Sequence, residues 1–176
     1  MQQFLASIER RAFSIAQMAT QNRDDALDIV QEAMIKLVQK YSEKPPEDWK
    51  PLFYSILHTR ILDWHRRQSV RNRFRSWLHL EDDENADNAA NNVLEQVAGE
   101  ANLAPDLRLQ DVQFSEALNT ALSALPLRQQ QVFLLRVWEG MDIRDTSIAM
   151  QCSESSVKTH YQRALEKLRS ALQEHH

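Results

Sequence analysis

The side chains best suited to bind another molecule cluster near the end of the chain, in segment 153–169. Its sequence, SESSVKTHYQRALEKLR, repeats apolar residues every three or four positions, which predicts an amphipathic helix with one buried stripe. Hydroxyl, imidazole and cationic groups remain on the other face. They are Ser155, Ser156, Lys158, Thr159, His160 and Arg163. Such groups suit hydrogen bonds to base edges and contacts with the phosphates of duplex DNA.

The residues just before this segment predict the supporting half of a helix-turn-helix. Ser153 is a good N-cap for the long helix, 143–150 can form a short helix, and 151–153 a tight turn. In this motif the N-terminal residues of the second helix enter the major groove. The alternative is an ordinary helical hairpin with a polar outer face. Thr146 and Ser147 are polar where an apolar and a small residue would fit better.

A second basic segment lies in the first half of the chain. Residues 58–80 carry six arginines against a single acid, Asp63, and aromatic residues are interleaved with them. Arginines next to aromatic rings suit phosphate contact and stacking on unpaired bases. The candidates for backbone contact are Arg66, Arg67, Arg71 and Arg73. The alternative is a solvated helix face beside core aromatics, and Trp64 does fall on the apolar stripe.

An acidic face on the predicted second helix could dock a protein. It carries Asp24, Asp28, Gln31 and Glu32, although such a face is more often simply solvated. No cofactor motif, catalytic motif or metal-ligand spacing accompanies these surfaces. The scattered residues His58, His65 and His79 with Asp63 lack that spacing. We therefore expect a binding protein with no metal and no cofactor, and not an enzyme.

Composition predicts an all-α protein. Only two glycines and five prolines occur in 176 residues, which favours helix and leaves little material for hairpins. The single Cys152 suits a reducing cytosol, and no apolar run approaches the roughly 20 residues that span a bilayer. The expected location is cytoplasmic, without membrane insertion.

Apolar spacing and helix breakers divide the chain into two small helical domains. Domain 1–80 is expected to hold three helices, the second with an apolar stripe that includes Leu27 and Val38, and the third beginning near Pro51. Residues 81–104 hold few large apolar groups, and 81–106 carry eight acids and no lysine or arginine, so 81–104 are expected to form a flexible acidic linker. Domain 105–176 is expected to open at Pro105 and to contain the helix-turn-helix.

Several ordered motifs along the chain carry a family resemblance. Residues 25–32, DALDIVQE, are similar to a signature of the extracytoplasmic-function branch of the bacterial sigma-70 factors. Residues 53–56 with Asp63 and Arg66-Arg67 resemble the helix that follows it. Residues 125–133, Glu139-Gly140 and 156–159 resemble the family's C-terminal DNA-binding domain. The likeness covers nearly all of the chain outside the linker.

The resemblance implies that this chain joins core RNA polymerase and directs it to promoters. In the family, the first domain (region two) docks on the polymerase clamp helices, here through Asp28, Gln31 and Glu32, and it reads and melts the minus-ten element. The family position corresponding to His58-Thr59 is commonly Arg-Asn, so these two residues are expected to contact DNA with an altered preference. The second domain (region four) reads the minus-thirty-five element as duplex. An anti-sigma factor often binds members of the family.

Two other functions remain open from sequence. A stand-alone helix-turn-helix regulator would bind its operator without polymerase, but it leaves 25–32 and the basic helix unexplained. A protein-binding adaptor without DNA affinity would use both acidic segments and bind its partner independently of salt.

Overall fold

The computed structural model describes residues 1–77 and 115–173, and every regular element within them is helical. The expected linker 81–104, the helix start at Pro105 and the terminal His175-His176 lie outside the described residues. None of the described helices is long and apolar enough to cross a membrane.

The first unit is a bundle of three helices, α1 (Gln2–Thr20), α2 (Arg23–Tyr41) and α3 (Pro46–Trp77). Asn22 caps α2 as predicted, because its side-chain oxygen accepts from the Asp25 N–H at 3.0 Å. Each helix packs on the other two. Their shared core is formed by large side chains with almost no exposure: Ile15, Leu37, Phe53, Tyr54, Leu57 and Ile61.

Two expectations for this unit were wrong. The third helix begins at Pro46 rather than near Pro51, because Pro46 fits a first helical turn and Glu47 and Asp48 follow it there. Pro51 then lies inside the helix, where it removes one hydrogen bond but does not end it. Leu27 and Val38 are 39% and 42% exposed and do not belong to the buried stripe of α2. Ile29 takes part in that stripe instead.

The second unit contains a helix at 115–123, here α4, and then α5 (Leu127–Phe133), α6 (Ile143–Met150) and α7 (Glu154–Gln173). Helix α5 continues as a π-helical turn, Leu134–Trp138, and Gly140 follows with a φ of 62°. Positive φ favours glycine, so the expected end of the helix at Gly140 is confirmed. The core of this unit lies where α5 and α6 pack on α7. Its members include Leu122, Val132, Leu135, Met150, Val157 and Leu168.

The two units contact each other along α3 and α6, and α1 also touches α5. The contact between α3 and α6 is as extensive as that between α2 and α3 inside the first unit. The unit that carries the helix-turn-helix therefore lies against the basic helix of the other unit.

Candidate nucleic-acid interface

The helix-turn-helix has the bounds that the sequence predicts. Helix α6 covers Ile143–Met150, and α7 begins at Glu154. The Ser153 hydroxyl accepts from the Ser156 N–H at 3.2 Å, which confirms Ser153 as the cap of α7. Gln151 takes the left-handed conformation in the turn, with φ of 51° and ψ of 46°. This position normally favours glycine, and here a polar residue occupies it.

The two polar residues of α6 fit the motif through local hydrogen bonds. Thr146 is fully buried, and its hydroxyl donates to the Asp142 carbonyl oxygen at 2.6 Å. Ser147 donates to the Arg144 carbonyl oxygen at 2.7 Å. Because each hydroxyl has an acceptor within the helix, its burial leaves no unsatisfied donor. The packing of α6 on α7 therefore tolerates both residues.

The exposed face of α7 presents hydrogen-bonding groups between two cations. Ser155 and Thr159 lie along its centre, and Lys158 and Arg163 flank them on opposite sides; all four are exposed. The Ser153 hydroxyl is linked to those of Ser155 and Ser156 at 2.9 and 2.8 Å. Gln162 is exposed in line with Ser155 and Thr159 and was missed by sequence reasoning, although helical spacing alone identifies it.

His160 lies at the edge of this face and is half-buried. Burial lowers its pKa, and the positive charges of Arg128 and Arg163 lower it further. The imidazole is therefore neutral at physiological pH, and it offers a hydrogen bond but no charge. Arg128, at the start of α5, was also missed by sequence reasoning, because only the fold brings it close to His160.

The distal part of α3 is a basic rod. Arg66, Arg67, Arg71 and Arg73 are all exposed, as are Val70 and Phe74. Arg66 pairs with Asp63 at 3.4 Å, and the Arg67 Nε donates to the Asp63 carbonyl oxygen at 3.3 Å. These exposed contacts are weak and leave the guanidinium groups available to phosphates.

Arg67 and Arg71 also line a groove between α2 and α3. The groove holds about 170 Å³ and has Asp25, Asp28 and Glu32 on its other wall. Arg60 crosses it, with its Nη1 at 3.3 Å from the Glu32 Oε2. The acidic face of α2 and the basic face of α3 thus meet along this groove.

His58 and Thr59 lie under the second unit in this arrangement. His58 is only 2% exposed, and burial, with a smaller effect from Arg128, lowers its pKa to about 4. The Thr59 hydroxyl accepts from the Gln151 side-chain amide at 2.9 Å. While α6 packs on α3, His58 is buried and the Thr59 hydroxyl is engaged by Gln151.

The outer face of α2 combines acidic, amide and apolar groups. Asp28, Gln31 and Glu32 are exposed as expected. Around them lie the exposed apolar side chains Leu27, Ile35 and Val38, of which Ile35 is 56% exposed. The sequence prediction had assigned Leu27 and Val38 to the core because of their helical spacing, and it made no assignment for Ile35. Exposed apolar groups beside charged ones are typical of a protein-binding surface.

No group of three or more His, Cys, Asp or Glu side chains among the described residues could hold a metal ion. The surfaces that remain are two basic or hydrogen-bonding helices and one mixed acidic and apolar face.

Comparisons with known proteins match both units. Residues 4–71 match the family model for sigma-70 region 2, and residues 115–168 match that for sigma-70 region 4. RNA polymerase sigma factor SigV of Bacillus subtilis is 28% identical over 93% of this chain and 82% of the relative. RNA polymerase sigma-E factor of Streptomyces antibioticus is 27% identical over 85% of this chain and 71% of the relative.

A similar fold occurs in a solved structure, that of the sigma factor RpoE of Bartonella quintana in complex with the anti-sigma factor NepR. The likeness covers 98% of both chains, with a TM-score of 0.64 and 19% identity. The two family models together cover most of the chain and fall on the two helical units in the same order as the predicted domains. The chain belongs to the sigma-70 family of RNA polymerase sigma factors, in its extracytoplasmic-function type, and it acts in promoter-directed initiation of transcription.

Proposed function

We propose that three separate surfaces of this sigma factor perform its three binding tasks. The outer face of α2 binds core RNA polymerase, distal α3 binds melted promoter DNA, and α7 reads duplex DNA. The observation that carries this proposal is the chemistry of each surface, because it matches one ligand class and not the others. The chain performs no catalytic step of its own.

The outer face of α2 suits a protein partner. Asp28, Gln31 and Glu32 supply polar specificity, and the exposed Leu27, Ile35 and Val38 supply apolar area that gains free energy when it is covered. The acidic groups would repel nucleic acid. We assign this face to the core enzyme.

Helix α7 suits duplex DNA, because its N-terminal residues combine short hydrogen-bonding side chains with flanking cations. Ser155, Thr159 and Gln162 are placed to meet base edges, whereas Lys158 and Arg163 are placed to meet phosphates. We assign this face to the upstream, minus-thirty-five promoter element.

Distal α3 suits a single strand. Four exposed arginines follow the backbone of the strand, and the exposed ring of Phe74 is placed to stack on a base. We assign this rod to the melted minus-ten element. His58 and Thr59 join that contact only when α6 leaves α3.

The proposal also includes a further protein partner and the location of the protein. The similar fold of RpoE was solved with an anti-sigma factor, and we propose that a protein of that class also binds this chain. We also place the protein in the cytoplasm, where core polymerase and the chromosome are found.

Run-off transcription with core polymerase tests the proposal. A genomic library of promoter fragments is transcribed by core enzyme with and without the protein. We expect transcripts from a small set of fragments only when the protein is present. Operator binding that proceeds equally well without polymerase, with no such transcripts, would instead support a stand-alone regulator.

A further inference from the structure

The contact between the two units is built around one buried acid. Glu139 follows the π-helical turn of the second unit, and its side chain has no exposed area. Its Oε2 lies 3.2 Å from the Lys50 Nζ and 3.8 Å from the Arg11 Nη1. The Lys50 ammonium also donates to the Glu139 carbonyl oxygen at 2.6 Å. Both cations belong to the first unit, so the two ion pairs cross between the units.

The environment of Glu139 is electrostatically specific. The Tyr54 ring lies in the core of the first unit, and burial, together with the neighbouring Glu139 carboxylate, raises the pKa of Tyr54 well above its usual range. A buried carboxylate is tolerated only when cations compensate for its lost hydration. Among the described residues, the cations paired with Glu139 come from the first unit. The carboxylate therefore stabilises the contact only when the units are docked in this register.

The backbone beside Glu139 has an unusual shape. A π turn ends at Trp138, and Gly140 reverses the chain with positive φ immediately afterwards. π turns are uncommon and occur frequently at functional positions. Here the turn and the glycine bracket Glu139, which forms the ion pairs with the first unit.

A second polar contact between the two units lies at the other end of α6. The Gln151 side-chain amide donates to the Ser55 hydroxyl at 3.0 Å and to the Thr59 hydroxyl at 2.9 Å. Gln151 is the left-handed residue of the helix-turn-helix. His58, which lies between Ser55 and Thr59 in the sequence of α3, is buried. The turn of one DNA-binding unit thus covers part of the DNA surface of the other.

We propose that Glu139 is the latch of a closed state in which the helix-turn-helix unit occupies the α3 surface that melted promoter DNA requires. The free protein is closed, and promoter DNA and the second unit compete for His58 and Thr59. The competition with DNA rests on the proposed function; the latch itself does not.

The latch is tested by the distance between the units in the complete, free protein. Fluorophores are attached at Gln39→Cys and Ser170→Cys, both exposed positions, in a Cys152→Ser background. We expect Glu139→Gln to lower the energy-transfer efficiency clearly, while helicity by circular dichroism stays unchanged. Glu116→Gln, which removes an equal charge from an exposed acid of the same unit, is the matched control and should change nothing.

A charge exchange distinguishes a latch from general damage. Lys50→Glu alone should open the protein, and Lys50→Glu combined with Arg11→Glu and Glu139→Lys, which reverses all three charges of the cluster, should restore much of the transfer efficiency. A Glu139→Gln protein that keeps the wild-type distance, or an exchange that restores nothing, would overturn the latch.

Residue-level labelling checks the contact without any DNA. Diethylpyrocarbonate followed by peptide mass spectrometry should modify His58 at least several-fold faster in Glu139→Gln than in the wild type or Glu116→Gln. Equal rates in the three proteins would mean that the α3–α6 contact does not depend on Glu139, which would also overturn the latch.

The competition is measured with a mixed-sequence forked DNA that carries a single-stranded arm. We expect Glu139→Gln to bind it several-fold more tightly than Glu116→Gln. Unchanged affinity in a protein that has opened would refute the competition and leave the latch intact. Failure of the proposed function has a different signature, because no promoter would then be transcribed with core enzyme although the distance and labelling changes remain.

Discussion

Single residues on α7 are expected to separate into those that contact phosphate and those that contact bases. Arg163 is exposed at the flank of the helix, so Arg163→Ala should weaken binding to every duplex and reduce the slope of log affinity against log salt by about one ion. Titrations at several salt concentrations, on a specific and a random duplex, measure this. A loss confined to one sequence would contradict the phosphate role.

Thr159 should behave in the opposite way. It lies on the centre line of the same face, so Thr159→Ala should change which upstream element is preferred, by about 1–3 kcal/mol, with little change in the salt slope. Its hydroxyl now donates to the Ser155 carbonyl oxygen at 3.0 Å and keeps its acceptor capacity for DNA. Selection of bound sequences from a random pool is the measurement. An unchanged preference would show that Thr159 does not read bases.

His58 gives the contact between the units a pH dependence with a definite sign. Its pKa is about 4 when covered, against 6.5 for an ordinary histidine, so the open state binds a proton first as the pH falls. The closed state should lose stability below pH 6.5, by about 2 kcal/mol at pH 5, and lose no more once the pH is below 4.

Energy transfer between the two units at pH 7.5 and pH 5 checks this prediction. Arg128 is the charged group that acts on His58. His58→Gln, which cannot titrate, should reduce the pH response strongly. A full response in that variant would assign the effect to other groups, such as His65, whose burial also lowers its pKa.

At the scale of elements, the functions proposed for α2 and α3 are expected to be separable by mutation. Charge reversal by Asp28→Lys with Glu32→Lys should weaken binding to core polymerase by at least about tenfold, because the two lysines would repel the polymerase groups that the acidic side chains are proposed to contact. Glu32 also loses its ion pair with Arg60, so helicity and thermal unfolding must be compared with the wild type. Glu43→Lys, at an exposed acid beyond the end of α2, serves as the control. Unchanged core affinity in the double variant would contradict the assignment of this face.

Distal α3 should affect promoter opening and not duplex recognition. Arg66→Ala with Arg67→Ala removes two exposed cations from α3 and leaves α7 unchanged. We expect duplex binding by the second unit to persist and permanganate reactivity of thymines near the start site to fall with the complete holoenzyme. Normal melting of promoter DNA by this variant would show that the arginine face is only a solvated surface.

The sequence predicted the helices better than the contacts between them. Helix α6 and the caps Asn22 and Ser153 follow from local rules, because capping and apolar spacing act within a few residues. The early start of α3 was missed, since a proline at position 51 is compatible both with a helix start and with a helix interior early in the helix. The π turn at Leu134–Trp138 carries no sequence pattern that we recognise.

The residues of the inter-unit contact were missed for a different reason. Glu139, Gln151 and Lys50 are polar residue types that normally face solvent, and their partners lie about 90 residues away in the chain. Contacts between residues so far apart leave no periodic pattern in the sequence. Leu27 and Val38 of α2 show the reverse case, because their apolar type and spacing predicted burial and they lie at the surface.

For the whole molecule, the composition of the segment between the units and the contact of α3 with α6 together predict what happens when a protease cleaves the chain between the units. The acidic, weakly apolar stretch 82–100 is expected to be the first site of protease cleavage. The fragments should then stay associated at low salt through the α3–α6 contact and separate when Glu139→Gln is introduced. Size-exclusion chromatography of the nicked protein distinguishes one species from two. Fragments that separate in the wild type would show that covalent linkage alone keeps the units together.

The contact between α3 and α6 also couples ligands that never touch each other. If the open form makes up about 1% of the free protein, every ligand that binds only this form has its affinity reduced about 100-fold. Binding of the first such ligand includes the free energy of opening, and the next ligand binds to the open form with its full intrinsic affinity. Promoter DNA and any protein partner that binds only the open form would then be positively cooperative through thermodynamic linkage alone, and the strength of this cooperativity would be set by the ion pairs of Glu139.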